Sequence, residues 1–293
     1  DVSILQEPLQ NIYLVASGVM DMFASVDAVD QIRFSGQKQE NWYIQTAKDA
    51  MAAGDMIYAG KYSKPDYELL VSEGCDLAIE NRMITHSPEV VEMLQSFDIP
   101  VMIEYSSYEQ HPLGKVEWVK FFGALTGKEA EAEEAFAEQT EILEEVESGE
   151  KTGKTIAFFY VTSNGLIQVR QSTDYIPKLI ELAGGRYIFE NLEDSGSGRS
   201  TLNMQVEDFY AGAKDADILI YNSSIDGGVT TVDELIGKCN ILKDFKAVQE
   251  GQVYCTTNDM YQQSMAVGYL LQDMHTVLTE GGTDELRYLF PLQ

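Results

Sequence analysis

Residues 207–222 read EDFYAGAKDADILIYN, and residues 66–81, DYELLVSEGCDLAIEN, repeat the same order of features. Each stretch has an acidic start and a short helical pattern, after which an Asp enters an apolar run and an Asn leaves it. A helix followed by an apolar, β-branched strand is the repeating unit of α/β proteins. Two such units, far apart in the chain, predict two similar α/β lobes.

The same alternation of short apolar runs and longer helical patterns continues outward from these two stretches. It predicts an α/β fold with central parallel sheets flanked by helices. The predicted strands cover residues 11–16, 77–80, 101–104, 155–161, 217–221 and 252–255. The clearest helical patterns cover residues 88–96, 175–183, 208–213 and 262–278.

The segment of residues 127–150 differs from the rest of the chain. It contains ten Glu residues and a single base, Lys128, and its apolar residues recur at helical spacing. This pattern predicts one long amphipathic helix with a solvated acidic face. We therefore predict an N-terminal lobe at residues 1–126, a connecting helix at 127–150 and a C-terminal lobe at 151–293.

The charge of the chain excludes several classes of partner. With 48 acidic and 20 basic residues among 293, the formal net charge is −28. Nucleic acids and anionic membrane surfaces are bound through Lys and Arg, so neither is expected as a partner. The chain begins at Asp1 rather than Met, and we predict a mature form from which a targeting segment has been removed.

Motifs of catalysis and of metal binding are absent from the sequence. It has no GxSxG, GxxxxGK[ST], GxGxxG or HExxH pattern, and its three Cys residues form no CxxC pair. Only three His residues occur, widely separated, which leaves little material for an imidazole-based site. We therefore expect a protein that is not an enzyme, with no cofactor and no metal ligands of its own.

The chain resembles, over nearly its whole length, the substrate-binding proteins of bacterial ABC importers for ferric siderophores, haem and cobalamin. In that family a single long helix joins two α/β lobes. The order and spacing of several short segments carry the resemblance, and no single one of them is diagnostic. These segments are PDYELL at 65–70, CDLAI at 75–79, SFDIPV at 96–101, HPLGKVEW at 111–118, LAGG at 182–185, DADILI at 215–220 and FKAV at 245–248.

The resemblance implies a monomer outside the cytoplasm, either periplasmic or a cell-surface lipoprotein. It would capture an iron chelate, haem or a corrinoid in the cleft between its lobes and deliver it to an ABC permease. In the family one surface acid on each lobe docks onto arginines of the permease. Glu68 matches the acid of the first lobe, and the second falls at Glu207 or Asp208.

Candidate ligand-binding residues come from loops near strand ends, where open α/β sheets bind their ligands. Aromatic faces with a few arginines suit a large, partly hydrophobic chelate. Arginines would attract an anionic catecholate or a haem carboxylate against the negative charge of the chain, whereas a neutral hydroxamate or a corrinoid would not need them. The candidates are Trp42, Tyr58, Tyr62, Arg82, Arg170, Tyr175, Arg199 and Tyr261.

Two other functions fit a two-lobe α/β chain. A chelatase-like or nitrogenase-like enzyme that acts on a metal chelate would need a His or a pair of carboxylates with shifted pKa values at its centre. A sensor or scaffold would bind no small ligand at all.

Overall fold

A computed structural model of the chain describes residues 4–5, 9–193, 200–225, 228–282 and 285–293. Contacts between Cα atoms divide the chain into two compact units. Unit 1 comprises Asp1–Ser107, Lys115–Glu138 and Gln262–Met265. Unit 2 comprises Tyr108–Gly114, Gln139–Tyr261 and Ala266–Gln293.

Unit 1 contains a five-stranded sheet in the order β3-β2-β1-β6-β7, and every pairing in it is parallel. A two-stranded antiparallel ribbon, β4-β5, follows β3. The strands of unit 1 are β1 (Ile12–Leu14), β2 (Ile32–Ser35), β3 (Ile57–Tyr58), β4 (Gly60–Lys61), β5 (Lys64–Pro65), β6 (Leu77–Glu80) and β7 (Val101–Ile103).

Short helices connect these strands, as parallel pairing requires. Asp66 caps α3, since its Oδ1 accepts a hydrogen bond of 3.1 Å from the backbone N–H of Leu69. A core that includes Tyr13, Phe34 and Leu94 fills one face of the sheet. The helices are α1 (Met20–Ser25), α2 (Gln45–Ala53), α3 (Tyr67–Ser72), α4 (Pro88–Ser96) and α5 (Pro112–Thr126), with a 3-10 helix at Arg82–His86.

The acidic segment forms α6 (Glu129–Glu147), a helix of 19 residues. The boundary between the two units lies inside it, because Glu138 belongs to unit 1 and Gln139 to unit 2. The helix predicted for residues 127–150 is confirmed, although its last residues form no helix. Gly127 comes before α6 with a φ of +69°, a backbone conformation that glycine adopts without strain.

Unit 2 contains a mixed sheet in the order β11-β9-β8-β12-β13-β14, and β10 also pairs with β8. The pairs β8-β12, β12-β13 and β8-β10 are parallel, whereas β9, β11 and β14 run antiparallel to their neighbours. The strands are β8 (Thr155–Val161), β9 (Ile167–Arg170), β10 (Arg186–Tyr187), β11 (Thr201–Met204), β12 (Ile218–Tyr221), β13 (Val253–Thr256) and β14 (Leu289–Pro291).

The helices of unit 2 pack around this sheet, and a core that includes Phe159, Phe209 and Phe245 fills one of its faces. Gly184 follows the first of these helices with a φ of +91°, and a Cβ there would lie 2.6 Å from the carbonyl oxygen of Glu150. Only glycine fits this position without strain, and the pair Gly184-Gly185 in the sequence indicates that the helix ends here. The helices are α7 (Tyr175–Leu182), α8 (Val206–Ala213), α9 (Val232–Lys238), α10 (Lys246–Gln249) and α11 (Val267–Glu280).

The internal repeat has a structural basis in the two Asp residues that enter β6 and β12. Asp76 Oδ2 accepts hydrogen bonds of 3.0 and 3.1 Å from the backbone N–H groups of Gln10 and Asn11, just before β1. Asp217 Oδ2 accepts a hydrogen bond of 2.7 Å from the N–H of Thr155, at the start of β8. Each carboxylate thus binds the start of the neighbouring parallel strand.

The six predicted strands all form, with ends that differ by at most two residues from the predicted ones. The prediction of a parallel sheet holds for all of the unit 1 sheet and for the centre of the unit 2 sheet. The prediction does not include β2, β3, β4, β5 or β10. It also does not include β9, β11 and β14, which make the unit 2 sheet mixed. All three are short: β9 (IQVR) and β11 (TLNM) alternate apolar and polar residues, and β14 (LFP) has only three residues. None of them carries the longer apolar run that marks a buried parallel strand.

Candidate ligand-binding site

The carboxyl ends of β12 and β13 carry a row of short polar side chains. Asn222 follows β12, and Thr257 follows β13. The backbone N–H of Ser223 donates a hydrogen bond of 3.0 Å to Thr256 Oγ1, which joins the two strand ends. Ligands of open α/β sheets bind at this edge, so the side chains that gather here are candidates for ligand contact.

Arg170, the last residue of β9, brings a positive charge to this edge. Its side chain is 10% exposed, and its Cζ lies 5.8 Å from the centre of the Phe158 ring and 5.5 Å from that of Tyr261. Both distances are within the range of cation–π attraction. Nη1 lies 3.4 Å from Asp174 Oδ2, and Nη2 donates a hydrogen bond to Tyr261 Oη.

Tyr261 and Asn222 form the outer part of the same cluster. Asn222 Nδ2 donates a hydrogen bond of 2.6 Å to Tyr261 Oη, so two donors converge on this phenol oxygen. Tyr261 remains partly exposed, whereas Asn222 is 3% exposed. The guanidinium of Arg170 and the amide of Asn222 thus hold the phenol oxygen of Tyr261 in place.

The backbone of Arg170 is fixed by a second tyrosine. The Arg170 N–H donates to Tyr187 Oη over 3.0 Å, and Tyr187 Oη donates to the Arg170 carbonyl oxygen over 2.8 Å. Tyr175, the first residue of α7, is buried against the cluster as well. Burial raises the pKa values of Tyr175, Tyr187 and Tyr261, so all three phenols are neutral at physiological pH.

The charge of Arg170 is compensated within unit 2. Burial acts to lower its pKa, but Tyr261 and the Asp174 carboxylate act in the opposite sense and raise it, so the guanidinium stays protonated. Asp174 is 2% exposed at its side chain, and its Oδ1 also caps α7 by accepting a hydrogen bond of 3.0 Å from the N–H of Ile176. One cation and one carboxylate leave the cluster with no net charge.

One atom of the cluster lacks a hydrogen-bond partner in the described part of the chain. Asn222 Oδ1 is withdrawn from solvent, and neither backbone nor side chain donates to it. A buried amide oxygen without a donor costs about 1–3 kcal/mol. An unsatisfied acceptor beside a partly exposed tyrosine is a position that a ligand can complete.

A cavity of about 620 Å³ borders the cluster, and Asp174 and Tyr187 form part of its wall. Other charged side chains of its wall pair with one another: Lys178 Nζ lies 2.8 Å from Glu181 Oε2, and Arg186 Nε lies 3.2 Å from Glu190 Oε1. We assign no ligand to this cavity.

Four of the predicted ligand-binding residues belong to unit 1, where each lies on a different element or loop. Arg82 starts the 3-10 helix after β6, Tyr58 ends β3 with 41% of its surface exposed, and Tyr62 lies in the turn between β4 and β5. Trp42 is 1% exposed, and its Nε1 donates a hydrogen bond of 3.1 Å to Ser35 Oγ. Trp42 thus packs in the core of unit 1 and offers a ligand almost no surface.

Two buried acids lie at the carboxyl edge of the unit 1 sheet, and neither was a candidate from the sequence. Glu104 Oε2 accepts hydrogen bonds of 2.8 Å and 2.6 Å from the N–H and Oγ of Ser106. Glu80, at the end of β6, is 0% exposed, and neither of its carboxyl oxygens has a partner in the described structure. Burial raises the pKa of Glu80 to about 8.

The three predicted docking acids lie on helix surfaces. Glu68 is exposed in the first turn of α3 in unit 1, and Glu207 and Asp208 are exposed in the first turn of α8 in unit 2. Arg199 lies outside the described residues.

The unit 2 cluster thus joins three predicted residues, Arg170, Tyr175 and Tyr261, to residues that sequence reasoning did not select. These are Asn222, Asp174, Tyr187 and Phe158. A signal for Asn222 was present, because an Asn directly after the apolar strand is the last feature of the internal repeat. Asp174 precedes an apolar helical pattern, which is typical of a helix cap and gives no hint of a buried ion pair.

A comparison with protein families gives a match over most of the chain. Residues 15–260 match the model of the periplasmic binding protein family. The chain belongs to this family. Periplasmic binding proteins bind solutes, and the chain's solved structural neighbours are solute-binding proteins rather than enzymes.

Among curated proteins, an uncharacterised lipoprotein of Methanocaldococcus jannaschii is 27% identical over 250 residues. The match covers 82% of this chain and 57% of that protein. This periplasmic binding protein therefore spans little more than half the length of that relative.

Two solved structures from Vibrio cholerae share the fold. A periplasmic haem-binding protein superimposes with a TM-score of 0.71 at 14% identity, covering 92% of this chain and 98% of the other. A periplasmic catecholate-siderophore-binding protein gives a TM-score of 0.70 at 12% identity, covering 92% and 94%. At these identities the likeness concerns the fold of the periplasmic binding protein and not its ligand.

Two features are absent from the part of the chain that the structure describes. No helix there is both long and apolar enough to span a membrane. No group of three or more His, Cys, Asp or Glu side chains there is placed to hold a metal ion.

Proposed function

We propose that this protein is the extracytoplasmic substrate-binding protein of an ABC importer, which binds an iron chelate, haem or a corrinoid and delivers it to the permease. The observation that carries the proposal is the match of residues 15–260 to the periplasmic binding protein family. The structural neighbours from Vibrio cholerae, a haem-binding and a catecholate-siderophore-binding protein, support this range of ligands.

The cluster in unit 2 supports a binding role at the carboxyl edge of the sheet. Hydrogen bonds within unit 2 hold Arg170, Tyr261 and Asn222 together, so these side chains form a preorganised polar group. The aromatic ring of Tyr261 beside a polar edge suits a large chelate that is both flat and polar.

Delivery to a membrane permease is supported by the exposed acids at two helix starts, Glu68 on one unit and Glu207 and Asp208 on the other. Exposed charges of this kind govern approach and register more than affinity. The name lipoprotein, which the archaeal relative carries, supports a location outside the cytoplasm with a lipid anchor.

A thermal-unfolding panel tests this function. The purified protein is heated alone and with ferric siderophores of the catecholate and hydroxamate types, haemin and cyanocobalamin, and the metal-free siderophores serve as controls. A ligand at about 100 times its Kd adds roughly 2.7 kcal/mol to the free energy of unfolding, which is a readily measured rise in Tm. If every compound leaves the Tm unchanged at saturating concentration, the proposed function is wrong.

A further inference from the structure

The net charge of the unit 2 cluster bears on which chelate it can accept. A carboxylate or a phenolate of a ligand would need a cation that no carboxylate of the protein already neutralises. The guanidinium of Arg170 already faces Asp174 at 3.4 Å and donates to Tyr261, and its side chain is 90% withdrawn from solvent. An anionic ligand would therefore have to compete with a buried carboxylate that also caps α7.

The unpaired oxygen of Asn222 also bears on which chelate the cluster can accept. Asn222 Oδ1 is an acceptor, and an acceptor is completed by an N–H or O–H group. The amide nitrogen of the same side chain donates to Tyr261 Oη, and Tyr261 is partly exposed. A ligand that seats against Tyr261 can reach it.

We propose that the unit 2 cluster selects a chelate with no net charge that donates an amide N–H to Asn222 Oδ1. Asn222 is then the residue that determines specificity, and Arg170 is a positioning residue that holds Tyr261 in place. This inference rests on the proposed function and narrows its range of ligands.

The candidate ligands differ in the groups that they can offer. At neutral pH the edge of haem carries methyl, vinyl and carboxylate groups, none of which donates a hydrogen bond. A ferric tris-catecholate carries three negative charges. A corrinoid carries several primary amides around its ring, and a peptidic tris-hydroxamate such as ferrichrome is neutral and carries backbone amides. The last two classes satisfy the oxygen of Asn222 without disturbing the Arg170–Asp174 pair.

The affinities of four probes, measured calorimetrically at one ionic strength, test the selection. We expect cyanocobalamin or ferrichrome to bind at least about tenfold more tightly than haemin and ferric enterobactin, because only the first two can satisfy the buried acceptor; tenfold corresponds to about 1.4 kcal/mol. Tighter binding of haemin or ferric enterobactin would overturn the inference and leave the proposed function standing. If none of the four binds, both the inference and the proposed function fail.

Two substitutions at one position test the role of Asn222. With the neutral probe that binds best, Asn222→Leu removes the acceptor at similar volume, and we expect affinity to fall about 10- to 100-fold. Asn222→Ser keeps an acceptor oxygen and adds no charge to the cluster, and we expect it to lose clearly less affinity for the same probe than Asn222→Leu does. Unchanged affinity in Asn222→Leu, or an equal loss in both variants, would overturn the inference.

Asn203→Leu is the matched control, since Asn203 is an exposed residue of β11 in unit 2 and its Oδ1 accepts a hydrogen bond of 3.2 Å from Gln168. We expect this variant to bind as the unmodified protein does. The Tm of every variant is measured first. If Asn222→Leu does not fold, Asn222→Ala, which is smaller and has no side-chain acceptor, replaces it, and a Kd for the neutral probe that is unchanged from that of the unmodified protein counts against the inference.

Discussion

Arg170 Nη1 lies 3.4 Å from Asp174 Oδ2, four residues further along the chain, and the two side chains are only 10% and 2% exposed. Asp174 also caps α7, so one carboxylate anchors a helix start and compensates a buried cation. Replacement of either residue leaves the charge of the other unpaired inside unit 2. The pair therefore stabilises the fold of unit 2 as well as the binding edge.

Asp174→Ala should therefore destabilise the protein strongly. It removes the partner of Arg170 and the cap of α7 together, and the loss of one partner of a buried pair costs about 3–5 kcal/mol. Urea unfolding followed by circular dichroism measures this loss. Glu190→Ala is the control, because Glu190 pairs with Arg186 at the surface, where both side chains are more than half exposed, and we expect a change of at most about 1 kcal/mol. Equal effects of the two substitutions would show that the buried pair contributes no more than a surface one.

Glu80 should make the stability of the protein fall as the pH rises. Its pKa is about 8 in the folded chain and 4.5 is its ordinary value, so between these two pH values the folded state holds a proton that the unfolded state has released. Its favourable contribution is complete below about pH 4.5 and is lost as the pH rises to about 8. Over that window the slope reaches about 1.4 kcal/mol per pH unit.

Glu80→Gln removes this dependence, since the amide does not titrate. Urea unfolding at several pH values from 5 to 9 compares it with the unmodified protein, and we expect the variant to gain relative stability as the pH rises. Glu68→Gln, at an exposed site in the same unit, is the matched control and should follow the unmodified protein. A parallel pH dependence in Glu80→Gln would mean that Glu80 ionises normally in the folded chain.

Asp273 should hold the last strand of the unit 2 sheet in place. This 5% exposed residue of α11 accepts hydrogen bonds from the backbone N–H groups of Arg287, Tyr288 and Leu289, the shortest of them 2.6 Å from Tyr288. In Asp273→Ala these three donors lose their acceptor, and we expect their amide hydrogens to exchange about tenfold faster or more. Hydrogen exchange with mass spectrometry measures this, and Asp244→Ala, at an exposed site, is the control. Unchanged protection of residues 287–289 would contradict the role of Asp273.

Glu68 should affect transport without affecting ligand binding, if the proposed docking is correct. Glu68→Lys reverses an exposed charge in the first turn of α3. We expect a ligand affinity within about twofold of the unmodified protein and a markedly lower rate of uptake in proteoliposomes that contain the cognate permease. Glu89→Lys, also in the first turn of a helix of unit 1, is the control for the charge change alone. A loss of ligand affinity in Glu68→Lys would remove Glu68 from the docking surface.

The contacts of the predicted ligand-binding residues could not be predicted from the sequence. Arg170 was selected as a source of attraction for an anionic chelate, because arginine is rare in so acidic a chain. Asp174, which compensates it, could not be distinguished from the other acids, since its role depends on β9 and α7 coming together. Trp42 was selected as an aromatic loop residue, and its burial under a hydrogen bond to Ser35 follows from packing within unit 1.

Much of the fold could be predicted from the sequence because it depends on local patterns. Short apolar runs such as Leu77–Glu80 and Thr155–Val161 are typical of buried central strands, and helical spacing with Gly at the end indicates α7. The antiparallel edge strands escaped prediction because their residues are half exposed, and pairing partners distant in the chain stabilise them.

By itself the sequence determined the α/β class, the order of the central strands along the chain, the acidic helix α6 and the resemblance to a family of binding proteins. The class, the strands and the helix follow from periodicity and composition, which are properties of neighbouring residues, whereas the resemblance rests on the order of short segments along the whole chain. Only the tertiary structure decided that Arg170 is neutralised by Asp174 and that Asn222 keeps an unsatisfied oxygen, because hydrogen bonds and burial depend on side chains that the fold brings together.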